Sequence, residues 1–249
     1  MHLSPNTSAF VEGKRITTLP PVHILPPYFT AIGKVRRRPP PILYHAVKRF
    51  LDVLLALLFL LFFWPLLLLI ALLIRRDSPG PVFHRREVLA RQQIAAEEKN
   101  LRTFMAFKFR TMVPDADSIL ANDPELREEY EKEFKLRRDP RVTRLGASLR
   151  SFSLDEFPQL LNVLRGEMTL VGPRMISPPE LARYGARGGT LLSVKPGLTG
   201  LWQVSGRHCV SYQERVLLDI WYIEHRSLLL DLVILWRTVG CVFARTGAF

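Results

Sequence analysis

The chain has 249 residues, of which 48% are hydrophobic, enough to bury one core of ordinary size. Its formal net charge of +12 favours a polyanionic partner: nucleic acid, an anionic membrane surface or a phosphorylated substrate. Its two cysteines indicate neither a cysteine-based metal cluster nor a disulfide framework.

Residues 1–43 are proline-rich, basic and aperiodic, and we predict that they form a disordered extension. They lack a basic region followed by an apolar run, so we expect no secretory signal. A partner-binding role is the alternative to a simple leader. We expect residues 44–249 to form one domain, with a membrane segment at about 48–75 and a soluble part at 76–249.

The longest apolar run is VLLALLFLLFFWPLLLLIALLI, residues 53–74, which contains no charge. As a straight helix it would be roughly 33 Å long, enough to cross a bilayer core of about 30 Å. Trp64 and Pro65 lie in its middle, and the proline predicts a kink because it removes a helical hydrogen bond. Basic residues flank both ends, and positive charge favours the cytoplasmic side. A spanning helix and a re-entrant helix therefore both stay open.

The segment RTFMAFKFRTM alternates apolar and basic residues, which predicts a β-strand. Phe107 and Phe109 would share one face of this strand, and Lys108 and Arg110 the other. Two cations on one face repel each other unless an anion lies over them, and a solvated face is the alternative. The acidic stretch 114–138 predicts exposed helix and no chemistry.

The segment RSFSLDEFPQLLNVLRGEMTLVGPR places two adjacent carboxylates, Asp155 and Glu156, among basic residues. Ser153 and Glu156 match a capping box, in which they would only satisfy backbone donors at a helix start. Pro158 favours a later start, because with Ser153 as cap the proline would fall at the fifth helical position. In that case Glu156 is available for other chemistry. Adjacent carboxylates near arginines at a helix start can attack phosphorus and hold Mg²⁺.

Two motifs that contain glycine follow this segment. LVGPR predicts a strand end and a turn that directs Arg174, and SVKPGLTGLWQVSGR combines glycines with Lys195 and Arg207. Glycine permits tight turns and close approach of the backbone to a ligand, and ordinary turns are the alternative. The C-terminal stretch that begins at YQERV has a helical pattern that either packs on the core or lies in the membrane interface.

In this order along residues 43–249, these segments resemble the bacterial sugar transferases, the monotopic polyprenyl-phosphate phosphoglycosyl transferases. The resemblance rests on the apolar run, SPGPVFHRR, KFRTM, the segment around SLDE, KPGLTGLWQVSGR and LDIWYIEHRSLLLDLVIL. It implies a small mixed α/β cytoplasmic body with interfacial amphipathic helices and one re-entrant membrane helix, broken at Trp64 and Pro65. It also implies a location at the bacterial inner membrane, with the active site facing the cytoplasm.

The resemblance further implies a reaction. Sugar 1-phosphate would pass from a UDP-sugar to a polyprenyl phosphate, expected to be undecaprenyl phosphate, with release of UMP. This would be the first membrane step of surface polysaccharide or glycoconjugate synthesis. Asp155 would be the nucleophile that carries a covalent phospho-sugar, and Glu156 would bind Mg²⁺. The positions that match phosphate-binding residues are Lys108, Arg110, Arg150, Arg174 and Arg207.

The sequence departs from the family pattern at two places. Met175 stands where a proline usually follows GPR, and REVLARQQIAAEEKNLRT lacks the glycines of the usual turn. A non-enzymatic membrane-anchored protein that docks on anionic lipid is the alternative of another class, and it needs nothing from Asp155. We expect no nucleic-acid partner, because the charge alone suggests one and no recognised binding motif supports it.

Overall fold

A computed structural model describes residues 42–92, 101–133, 136, 138–206 and 210–243. The predicted extension lies outside the described residues except for its last two positions, which are helical. Arg207, one of the predicted phosphate-binding residues, also lies outside them.

The first helix, α1, spans Ile42–Asp77, and its helical backbone continues through Pro65. Its 36 residues make it roughly 54 Å long. Judged by length and composition, it is the one helix in the described part of the chain that could cross a membrane. Only 11% of its most apolar window is buried, so most of this apolar surface faces away from the protein.

The N-terminal half of α1 is fastened to the soluble body by polar contacts. The buried carboxylate of Asp52 accepts hydrogen bonds from Thr169 Oγ1 at 2.6 Å and from the backbone N–H of Leu170 at 3.0 Å. The guanidinium of Arg49 donates to the carbonyl oxygens of Val163 and Leu164. The buried carboxylate of Asp52 and the carbonyl groups of Val163 and Leu164, near the end of a helix, thus all have hydrogen-bond partners.

The C-terminal half of α1 contacts the same body through apolar packing. Ile70 and Ile74 are buried against Phe109 and Leu149. Both ends of the helix therefore rest on the soluble body, while the large apolar side chains between them stay mostly exposed.

Two strands form an antiparallel pair: β1 spans Phe83–Leu89 and β2 spans Thr103–Phe109, with Phe83 opposite Phe109. The predicted strand is thus confirmed, and Arg110 lies one residue beyond its end. Phe104 and Ala106 are buried in the main core on one face of β2, the face to which alternation also assigns Lys108.

Short helices and a second strand pair complete a mixed α/β body, as predicted. Strands β3 (Thr169–Val171) and β4 (Gly197–Thr199) pair in parallel, and a separate bridge joins Arg174 to Gly197. In chain order the elements are α2 (Ala116–Asn122), α3 (Pro124–Glu133), α4 (Arg144–Ser151), a 3₁₀ helix (Leu154–Gln159), α5 (Leu160–Arg165), β3 (Thr169–Val171), a second 3₁₀ segment (Pro178–Arg187), α6 (Gly188–Leu192), β4 (Gly197–Thr199), α7 (Leu201–Val204), α8 (Tyr212–His225) and α9 (Leu228–Phe243).

The last helix, α9, has two apolar faces. Leu230 and Ile234 are fully buried in the main core. The other face exposes Leu229, Leu232, Trp236 and Val239, which recur at helical spacing. The two alternatives for this stretch therefore both describe it in part, because one face packs on the core and the other is free for an apolar environment.

Candidate active site

The two adjacent carboxylates lie in the first turn of the 3₁₀ helix Leu154–Gln159, directly after α4. The chain turns between these helices at Ser153, whose φ of 56° is the one positive value of a non-glycine residue in the described part of the chain. Such a conformation costs about 1–3 kcal/mol and is concentrated at functional sites. The Ser153 side chain makes no capping hydrogen bond, so the capping box is wrong. Ser153 still occupies the N-cap position and Pro158 lies at the fifth position of the 3₁₀ helix, so the later start that Pro158 favours is not observed.

Two cations converge on the carboxylates from different parts of the chain. Lys108 Nζ, on β2, lies 2.7 Å from Glu156 Oε1 and 4.0 Å from Asp155 Oδ2. Arg174, which follows β3, brings Nη2 to within 3.3 Å of Glu156 Oε1. The anion that strand alternation required over Lys108 is therefore the carboxylate pair itself.

Asp155 is buried, with 7% of its surface exposed. Burial raises the pKa of its carboxyl above the ordinary value, because water no longer solvates the charge. Lys108 works in the opposite direction, the negative charge of Glu156 adds to the rise in pKa, and Arg150 and Arg174 oppose it. The result is a poorly hydrated carboxylate that positive charge surrounds, which suits attack on an anionic phosphorus centre.

The other predicted phosphate-binding residues have different surroundings. Arg150 is close enough to affect the pKa of Asp155, and its Nε donates to Thr111 Oγ1 at 3.0 Å. Arg110 instead donates to the carbonyl oxygens of Ser78 and Pro79, each at 2.6 Å, where α1 has just ended. The structure therefore connects Arg150 to the carboxylate pair, whereas the guanidinium of Arg110 bonds to the last turn of α1 and to the residues that follow it.

The glycines of the two motifs serve a close approach between two backbones. A Cβ at Gly197 would overlap the backbone of Gly172, and a Cβ at Gly172 would lie within 2.8–3.0 Å of its neighbours. Gly172 belongs to LVGPR and Gly197 to KPGLTG, so the two motifs pack directly against each other. This contact holds the turn that carries Arg174.

A buried polar group behind Arg174 was not assigned a role by sequence reasoning. The guanidinium carbons of Arg174 and Arg215 lie 5.6 and 5.2 Å from the centre of the Trp202 ring. Asp219 Oδ2 accepts a hydrogen bond from the Tyr184 hydroxyl at 2.9 Å, and Arg215 Nε is 3.8 Å away. The i, i+4 spacing of Arg215 and Asp219 in a helical pattern was a signal that could have found this pair.

The backbone of Arg174 is close enough to Asp219 to affect the pKa of its carboxyl. Burial raises the pKa of Asp219 to about 6, while Arg215, the Tyr184 hydroxyl and the backbone N–H of Arg174 lower it. Asp219 thus lies near the backbone of Arg174, and its buried Oδ1 has no hydrogen-bond partner among the described residues. Asp219 therefore contributes to the site from behind, without facing the carboxylate pair.

The fold and the site together define a protein with an apolar helix attached to an α/β body, in which cations surround a buried carboxylate. Residues 43–245 match the family model described as bacterial sugar transferase, and the chain belongs to that family. The family resemblance stated from the sequence motifs is thereby confirmed.

Curated relatives agree with the family assignment. The chain is 43% identical over 206 residues to the exopolysaccharide production protein ExoY of Rhizobium meliloti, across 81% of this chain and 88% of ExoY. It is 49% identical over 152 residues to the undecaprenyl-phosphate galactose phosphotransferase of Salmonella typhimurium, across 59% of this chain and 32% of that protein. It is 44% identical over 181 residues to the UDP-galactose-lipid carrier transferase of Erwinia amylovora, across 71% of this chain and 36% of that protein. The chain thus spans about a third of the length of these last two relatives.

Proposed function

We propose that this protein transfers a sugar 1-phosphate from a UDP-sugar to a polyprenyl phosphate and releases UMP. The observation that carries the proposal is the buried Asp155, adjacent to Glu156 and facing Lys108, on a body attached to an apolar helix. The names of the relatives point to the same chemistry, since they include an undecaprenyl-phosphate galactose phosphotransferase and an undecaprenyl-phosphate glucose phosphotransferase.

The reaction proceeds in two displacements at one phosphorus atom. An oxygen of the Asp155 carboxylate attacks the β-phosphorus of the donor. The bond from this phosphorus to the bridging oxygen breaks, and its electron pair leaves with UMP. Asp155 then carries the phospho-sugar as an acyl phosphate. An oxygen of the lipid phosphate attacks the same phosphorus, the bond to Asp155 breaks, and the carboxylate is restored.

The cations supply most of the electrostatic stabilisation in this scheme. Negative charge develops on the oxygens around phosphorus in each displacement, and fixed positive groups lower its energy. Lys108 and Arg174 are held beside the carboxylates before substrate arrives, and Arg150 is in electrostatic range of Asp155. Pre-positioned charges avoid the cost of reorganisation during the reaction.

Mg²⁺ is the proposed cofactor. Within the described residues, no group of three or more His, Cys, Asp or Glu side chains could hold a metal ion by itself. The residues present still fit Mg²⁺, which commonly binds through one or two carboxylates and takes its other ligands from substrate phosphates and water. Glu156 would hold it, and the ion would neutralise charge on the donor diphosphate.

We further propose that α1 is re-entrant, with both ends on the cytoplasmic side of the inner membrane. The support is that Asp52, before Pro65, and Ile74, after it, are both buried against the same soluble body. A straight spanning helix would carry one end to the opposite side of the bilayer. Leu61 to Trp64 are exposed and apolar, as expected of the part that enters the lipid. The exposed apolar face of α9 suits the interface beside it.

A UDP-sugar cannot enter the bilayer and a polyprenyl chain cannot leave it, so the reaction must occur at this interface. This reaction would be the first membrane step of surface polysaccharide or glycoconjugate synthesis, and the name of ExoY supports an exopolysaccharide. The non-enzymatic alternative, docking of a basic surface on lipid, accounts for neither the buried Asp155 nor the strained turn before it.

The proposed function is tested by the donor reaction alone. Purified protein incubated with a UDP-sugar and Mg²⁺, without lipid acceptor, should release UMP in an amount equal to the enzyme and then stop. Addition of undecaprenyl phosphate should restart the release and give parallel lines in double-reciprocal plots. Release of UMP only when both substrates are present would instead indicate direct transfer.

A further inference from the structure

An apolar cavity of about 180 Å³ lies beside the carboxylate pair. Leu55 and Phe59 of α1 line one side of it, and Phe157 and Leu160 from the two helices after Ser153 line another. One leucine each from β3, β4 and α9 completes the wall. All its lining residues are leucine or phenylalanine, so the cavity offers no partner for a polar ligand.

The cavity is adjacent to the reacting groups along the chain. Phe157 follows Glu156 directly, and two residues of 3₁₀ helix place it only about 4 Å along the axis from Asp155. Its ring packs edge-on against Phe59 at a centroid distance of 4.7 Å. The membrane helix and the carboxylate segment therefore meet at this cavity.

The cavity is also continuous with the membrane-facing surface of α1. Leu55 is 37% exposed, although it lines the cavity. Its neighbours Leu54 and Leu58 are 39% and 40% exposed and extend the apolar surface along the helix. A group of partly exposed leucines on α1 therefore reaches the cavity wall at Leu55.

We infer that this cavity binds the isoprene units of the polyprenyl phosphate that lie next to its phosphate. An apolar cavity of about 150 Å³ lined by such side chains admits a benzene-sized hydrocarbon, so this one holds at least one five-carbon isoprene unit. The ligand must be apolar in the cavity and anionic a short distance away, where Lys108 and Arg174 lie. A polyprenyl phosphate has that order of groups. The inference rests on the proposed function for the identity of the lipid.

Filling the cavity from α1 provides the first test. Leu55→Trp places a large side chain at the cavity, and Leu54→Trp, at an adjacent position of nearly equal exposure outside the cavity wall, is the matched control. The apparent KM for undecaprenyl phosphate should rise at least about ten-fold in Leu55→Trp, as expected of overpacking, and stay within about two-fold of wild type in the control. UMP release without acceptor should be unchanged in both.

Equal acceptor KM values in the two variants would overturn the inference, whether both stay normal or both rise. If the wild-type protein released no UMP in the absence of acceptor, the proposed function would be wrong instead. The donor reaction does not use the cavity, so this outcome is distinct from a failure of the inference.

A labelling experiment on wild-type protein in lipid nanodiscs does not depend on activity or on a folded variant. A short prenyl phosphate that carries a diazirine near its phosphate should label peptides containing Leu55, Phe59 or Phe157, and excess undecaprenyl phosphate should prevent it. Labelling elsewhere would refute the cavity as the binding site. Equal protection by a phospholipid would mean that an ordinary acyl chain occupies the cavity, and would refute the inference as well.

Discussion

Replacement of Lys108 by methionine removes one charge from the centre of the site and keeps a side chain of similar length. The ammonium lies 2.7 Å from Glu156 and 4.0 Å from Asp155, and the three side chains are only 15%, 14% and 11% exposed. Unit charges 4 Å apart interact by about 4 kcal/mol at an effective dielectric constant of 20. Loss of one partner of a buried pair leaves the other charge unpaired, so we expect Lys108→Met to destabilise the protein by about 3 kcal/mol.

A double-mutant cycle isolates the Lys108–Glu156 interaction. Lys108→Met, Glu156→Gln and the double variant are unfolded with urea in detergent micelles, and tryptophan fluorescence gives the free energy of unfolding. We expect a coupling energy of about 2 kcal/mol, the range of a hydrogen bond between charged groups.

The exposed pair Arg127 and Glu131 is the matched control for this cycle. Its atoms are 3.4 Å apart, but the side chains are 61% and 69% exposed. Screening by water should keep its coupling energy below about 0.5 kcal/mol. A Lys108–Glu156 coupling no larger than that of the control would refute the electrostatic account of the site. Lys108→Met should also slow UMP release by roughly 10²-fold or more, the usual effect of losing one stabilising group.

Three further predictions concern the metal, the pH and the topology. Glu156→Gln should weaken the dependence of UMP release on Mg²⁺, and an identical Mg²⁺ titration in the variant would remove Glu156 from the metal site. Burial raises the pKa of Asp219 from its ordinary 3.8 to about 6, so the folded state binds this proton more tightly than the unfolded chain. The stability of the wild type relative to Asp219→Asn should therefore fall by about 3 kcal/mol as the pH rises through this window. Urea unfolding at stepped pH measures this fall, and parallel stability profiles of the two proteins would contradict it. Single cysteines at the exposed positions Ile42 and Arg76, in a variant without native cysteines, should react from the same side of the membrane, and labelling from opposite sides would restore a straight span.

Local sequence rules predicted much of the site correctly. The period of two in KFRTM gave a strand with Lys108 on one face. This feature depends on a few neighbouring residues, because side chains alternate along a strand. The acidic stretch likewise formed the predicted helices.

The partners of long side chains could not be predicted in the same way. Alternation alone gave Arg110 the same direction as Lys108, but the partners of Arg110 are the carbonyl oxygens after α1, more than 30 residues earlier in the chain. The link between Asp219 and the backbone of Arg174 joins residues 45 positions apart and depends on how α8 packs. Such pairings follow from tertiary packing, which no local pattern encodes. The glycines were expected to let the backbone approach a ligand closely. Gly197 does make a close backbone approach, and the neighbour is the backbone of Gly172.

The proposed covalent intermediate on Asp155 would change the intact mass of the protein, which mass spectrometry measures. Purified wild-type protein is incubated with a panel of UDP-sugars and Mg²⁺ without lipid acceptor, and its mass is then measured. With the correct donor, we expect a mass increase of one phospho-sugar, located by digestion to the peptide that contains Asp155 and absent from Asp155→Asn. Undecaprenyl phosphate should remove the adduct and yield the lipid-linked product. An adduct that persists in Asp155→Asn, or lipid-linked product formed at a normal rate by that variant, would contradict the proposed intermediate.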